Sequence, residues 1–136
     1  MNISEIQILF PRPGKWEEFT LTAVYQDADG YTRIDRYTQD EIPANQAPAM
    51  ESVVAALVGL GEDWQAVQVW AHLMTATVYN EDDPYTPTGQ RDEVVLDVEA
   101  VHAETGGRRI FTASDYPAFI ITDTAAVAFF KYFTKQ

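Results

Sequence analysis

Trp64-Gln65-Ala66-Val67-Gln68-Val69-Trp70-Ala71-His72-Leu73-Met74-Thr75-Ala76-Thr77-Val78-Tyr79 decides the fold, because its apolar residues fit two periods at once. Trp64, Val67, Trp70, Ala71 and Met74 would line one face of a helix capped by Asp63, whereas Val67, Val69, Ala71 and Leu73 alternate as in a strand. The run from Thr75 to Tyr79 is β-branched and aromatic, which favours a strand. One long strand over Trp64–Tyr79 is therefore expected, with a helix over Asp63–Leu73 as the alternative. A strand of that length extends roughly 50 Å, beyond what the core of a domain this size covers. Its surplus must protrude, bend or pair with another chain, and Trp64 and Trp70 are the aromatic anchors expected to make that pairing favourable.

Downstream, Glu93 to Ala103 alternates cleanly, with Val94, Leu96, Val98 and Ala100 on one face and Val95, Asp97, Glu99 and Val101 on the other. The connection from Asn80 to Arg91 reads as a twelve-residue loop carrying Glu81, Asp82, Asp83 and a proline-flanked Tyr85. Loops of that length are usually functional or mobile. If the two strands pair across it, His72 falls within a residue or two of His102. That pair, or the three acids, is then a candidate metal site, and Tyr85 is a candidate partner contact. Two unrelated histidines at the sheet margin and a solvated loop tip are the competing readings.

Upstream, Ile3, Ile6, Ile8 and Phe10 suggest a first strand stopped by Pro11-Arg12-Pro13-Gly14. Phe19 to Tyr25 and Tyr31 to Tyr37 form a β-hairpin about Asp27-Ala28-Asp29-Gly30. The same turn read as a calcium loop would put Tyr25 and Arg36 at its first and last ligand positions, so that reading fails. Met50, Val53, Val54, Leu57 and Val58 predict a helix from about Pro48 to Leu60. Thr105-Gly106-Gly107 predicts a turn into a short strand over Arg108–Ala113, and the Gly-Gly-Arg-Arg sequence is read as that turn rather than an anion site. Ala126, Phe129, Phe130 and Phe133 predict a last helix over Asp123–Phe133, capped by Asp123. The expected fold is a single α+β domain over residues 1–136: a mostly antiparallel sheet of about six strands with two packed helices, ordered β-β-β-α-β-β-β-α. Val54, Leu57, Val94, Leu96, Val98, Phe129 and Phe130 should be buried, and Tyr31, Tyr37 and the acidic loop exposed.

Composition narrows the chemistry. There is no cysteine, which removes disulfides, thiolate metal sites and cysteine nucleophiles. It also empties the second half of the zinc deaminase pattern that His102-Ala103-Glu104 would begin. Serine occurs only at Ser4, Ser52 and Ser114, outside any nucleophile elbow, and no phosphate-cradling glycine loop is present. No cofactor is expected. Met1 to Phe10 lacks the basic and unbroken apolar regions of a signal peptide, and no apolar run is long enough for a membrane span. A cytoplasmic protein, or a particle assembled in the cytoplasm, is the expectation.

The functional expectation is a non-enzymatic structural or protein-interaction module that associates with itself or another protein, in the style of a small phage-type assembly component. A small-ligand or metal-binding domain is the alternative, followed by a hydrolase working through carboxylates. The net charge is −12, and no Lys or Arg occurs between Tyr37 and Gln90. Affinity for phosphate comes chiefly from Lys and Arg displacing counterions. A gel-shift titration at physiological salt should therefore show no binding to DNA or RNA, and sub-micromolar, salt-sensitive retardation would contradict the charge argument.

Overall fold

The computed structural model describes residues 4–136, so Ile3 of the first expected strand lies outside them. Seven strands and two α-helices follow in the order β1 (Ser4–Leu9), β2 (Thr20–Gln26), β3 (Thr32–Thr38), α1 (Ala47–Val58), β4 (Trp64–Tyr79), β5 (Pro87–His102), β6 (Arg108–Phe111), β7 (Ile120–Ile121) and α2 (Thr124–Phe133). The sheet is antiparallel throughout and ordered β3-β2-β1-β4-β5-β6, with the two-residue β7 also on β5. This is the expected α+β architecture with one short extra strand.

Residues 64 to 79 form a single strand, and a β-bulge explains their mixed period. Ala66 opposes Ala100 and Gln68 opposes Glu99, which leaves Val67 as an extra residue without a partner on β5. Its carbonyl accepts instead from Phe10 N at 2.9 Å. A bulge reverses the alternation beyond it. Trp64 and Ala66 face the helices before it, and Val69, Ala71 and Leu73 do so after it, leaving Gln68, Trp70 and His72 on the other side.

Both helices pack on that one face. Ile6, Ile8, Leu21, Ala23, Ala66, Val69, Ala71, Val94, Leu96, Val98 and Ala100 meet Met50, Val53 and Leu57 of α1 and Phe129, Phe130 and Phe133 of α2 in one cluster of buried side chains. On α1 the buried stripe is Ala49, Met50, Val53, Ala56 and Leu57, rotated from the expected one. Val54 is consequently half-buried and Val58 exposed. Asp123 caps α2 by accepting from Ala125 N at 3.0 Å. Tyr37, expected in solvent, is half-buried because its ring meets Phe133 edge-on, centroids 5.0 Å apart.

Two tight connections shape the sheet. At the β2–β3 turn, Gly30 adopts φ 85° and Asp27 Oδ1 accepts from Asp29 N and Tyr31 N at 2.9 and 3.0 Å. The acids of this turn thus brace a hairpin. The expected twelve-residue loop shortens to Asn80–Thr86, because Pro87 to Arg91 continue β5 opposite Tyr79 to Ala76. Pro87 suits the first position of a strand, where its missing N–H costs no ladder bond. At its other end β5 stops at His102, and β6 stops at Phe111.

Leu57 and Phe130 are each 1% exposed. Replacing either by alanine should cost about 2–5 kcal/mol in denaturant unfolding through lost burial and a residual cavity. Losses below about 1 kcal/mol at both positions would contradict the two-layer packing.

Candidate functional site

The β4–β5 ladder continues past the rest of the sheet. Among the described residues, β1 pairs with β4 only from Gln68 to Ala71, while β7 and β6 meet β5 only between Val94 and Val101. Within the described residues, Met74–Tyr79 and Pro87–Glu93 therefore pair only with each other, as a two-stranded ribbon. Six residues give it a reach of about 20 Å. Met74, Ala76 and Val78 alternate along one side of it, continuing the helix-free face through His72 and Trp70. Met74 is 55% exposed and Tyr79 52%. The base is fixed to the core by Asp92, whose carboxylate receives Lys131 Nζ from α2 at 2.8 Å and lies 3.3 Å from Thr75 Oγ1. The Lys131 hydrogen bond holds Asp92 below the usual carboxylate range.

The tip is locally built. Asn80 N donates to Thr86 O at 2.9 Å, Asn80 Oδ1 accepts from Asp82 N at 2.8 Å, and Asp83 accepts from Thr86 Oγ1 and Tyr85 N at 2.6 and 3.1 Å. Those bonds, the Thr86 hydroxyl first, hold the Asp83 carboxyl below its ordinary value. Its oxygens serve the turn, and among the described residues no group of three or more His, Asp or Glu side chains converges as metal ligands. Tyr85 stands 90% exposed at the end of the ribbon. Glu81 and Asp82 are exposed beside it.

The other sequence candidates separate. His102 opposes Trp64 and His72 opposes Val95, so the histidines lie eight positions apart on the ladder and the expected pair is not formed. The long connection hid this, because five of its supposed loop residues belong to β5 and shift the register. His102 Nδ1 accepts from Glu104 N and Thr105 N, both at 3.2 Å, which closes the turn into β6. His72 Nε2 lies 3.4 Å from Glu5 on the helix-free face. Trp64 is partly buried at the foot of the ladder, edge-on to Phe111 and His102 at 5.2 and 5.0 Å, so it packs the core and does not supply the surplus surface. Trp70 sits on the helix-free face beside Gln7 and Asp97.

That face is the feature sequence reading did not single out. It sets Leu9, Val24, Ile34, Trp70, Val95 and Val101 among Gln7, Thr20, Thr22, Gln68, Asp97 and Glu99. An open groove of about 460 Å³ runs across it, lined in part by Gln7, Thr22, Arg36 and Gln68. A face-by-face count of strand residues would have found this mixed surface once the bulge was placed. Of the serines, Ser52 lies 2.6 Å from Asp123 and joins α1 to the cap of α2, which holds Asp123 below the usual range.

Comparison with protein-family models, with curated proteins and with solved structures finds no match.

One titration reports on the β2–β3 half of the sheet. Tyr25 is buried and donates its hydroxyl to Asp35 at 2.7 Å. That bond, with burial, pushes the phenol up from 10.0 to about 12. A raised value for a group that ionises to an anion means the stabilisation is fully present below about pH 10 and is lost as pH rises through about 12. Alkaline titration of tyrosine absorbance should show one phenol resisting ionisation over that interval, and Asp35→Asn should remove the delay; a delay unchanged in that variant would contradict the assignment.

Proposed function

We propose that this chain is a non-enzymatic interaction module that self-associates through the outer half of the β4–β5 ribbon and the adjoining helix-free face. The observation that carries this reading is the ribbon itself: two strands that, among the described residues, pair only with each other, with Met74 and Tyr79 exposed and Tyr85 at the tip. An isolated two-stranded hairpin is at best marginally stable in water. A further surface laid against Met74, Ala76 and Val78 would remove apolar area from solvent and order the ribbon, so association and rigidity reinforce each other. Exposed aromatic and methionine side chains are the types enriched at protein interfaces. The short tip, the Lys131–Asp92 tie and the absence of cofactor motifs in the sequence fit a part that is built to dock.

The reading is tested by replacing Met74 and Val78 together with serine. Weight-average mass in light scattering, followed over a dilution series, should fall relative to the unaltered chain. Unfolding free energy should change by about 1 kcal/mol or less, since Met74 is exposed and Val78 is half-buried outside the core cluster. An unaltered chain that is monomeric at every concentration, or a mass unaffected by the two substitutions, would contradict it.

A further inference from the structure

β3 is the edge strand at the side of the sheet away from the ribbon's β5, and among the described residues nothing pairs with its outer side. Its phase on β2 is fixed by two bonds. Asp27 N donates to Tyr31 O at 2.9 Å, which marks Tyr31, Arg33, Asp35 and Tyr37 as the residues bonded to β2. Thr38 N turns the other way, donating to Glu41 Oε1 at 3.0 Å. Thr32, Ile34 and Arg36 therefore present their N–H and C=O groups outward, an open template for one more strand. Ile34 lies among them on the helix-free face, 56% exposed.

The side chains choose the occupant. A second β3 laid antiparallel and centred on Ile34 sets Ile34 against its own copy and Thr32 against Arg36, both as hydrogen-bonded pairs that use the outward groups. The same register sets Arg33 against the second copy's Asp35 twice, as the closer, non-hydrogen-bonded pairs. Each already has one partner within the chain and keeps further atoms for another: Arg33 engages Asp27 through Nε at 2.7 Å, and Asp35 receives the Tyr25 hydroxyl on Oδ2. Moving the centre by one residue to either side puts Asp35 against Asp35 or Arg33 against Arg33. Of these three registers, each of which keeps outward groups paired, one has complementary charge and two set like charges against each other. At the other edge, β6 is only four residues long, a shorter template than β3.

We infer that β3 pairs with β3 of a second copy, antiparallel about Ile34, to join two sheets into one continuous sheet. This contact is separate from the ribbon and does not rest on it. The chain has no cysteine, so a single introduced thiol reports the register. Directly opposed residues of a hydrogen-bonded pair have Cα atoms about 5.5 Å apart, within the span of a disulfide. Ile34→Cys should give a covalent dimer under mild oxidation, and Asp29→Cys, on the exposed turn of the same hairpin, should not. Asp35→Arg should weaken association roughly tenfold, and Arg33→Asp combined with Asp35→Arg should restore it, because the exchanged charges again oppose each other. Circular dichroism identifies any variant that fails to fold, and Ile34→Cys leaves the charges untouched. Cross-linking of Ile34→Cys no greater than that of Asp29→Cys, as expected if the charged edge keeps copies apart, would overturn the proposal. Association of folded Asp35→Arg that matches the unaltered chain would overturn it as well.

Discussion

The extra residue at Val67 is the constraint on which the remaining structure depends. It divides β4 into a stretch that offers Trp64 and Ala66 to the helices and a stretch that offers Val69, Ala71 and Leu73 to the same layer. Without it, Gln68, Trp70 and His72 would turn inward, placing polar groups in the core at a cost of several kcal/mol unless each found a partner. With it, β4 stays apolar toward α1 and α2 along its whole covered length. The bulge is held by Phe10 N, so the end of β1 and the kink of β4 stabilise each other.

The same ladder separates a supported half from an unsupported one. From Ala66 to Leu73 the strand has neighbours and helices over it, and its residues are buried or half-buried. Beyond Met74 the pairing with β5 continues, but the hydrophobic layer ends and the Lys131–Asp92 ion pair is the last tie to α2. Backbone pairing alone contributes little net stability in water. The outer ribbon is thus the part of β4 that the rest of the described fold supports least.

Much of the fold was legible because hydrophobic periods are local. Val94 to Ala100 alternates without interruption, Ala126 to Phe133 has a clear helical stripe, and Asp-Gly at Asp29-Gly30 specifies a hairpin. What failed depended on pairing rather than on pattern. Pro87, Thr88 and Gly89 have loop-forming composition, yet Val78 and Tyr79 supply partners that carry them into β5. That extension shifted the register and dissolved the His72–His102 pair. The candidates fared according to the same rule: Tyr85 is exposed as its proline-flanked position implied, whereas Trp64 faces the core because the bulge restores it to the helix side. Glu81, Asp82 and Asp83 are legible as an acidic turn, but the use of Asp83 by Thr86 and Tyr85 requires three-dimensional closure to see.

If the ribbon is completed by association, its backbone should report it directly. Amide hydrogen exchange along β4, measured at low and at high protein concentration, compares the two halves of one strand within one molecule. Amides of Met74–Val78 should exchange markedly more slowly at high concentration, while those of Val69–Leu73, already covered by the core, should not change. Equal exchange of Met74–Val78 at both concentrations, in a sample whose mass rises with concentration, would show that the molecule associates elsewhere and that the ribbon stands free.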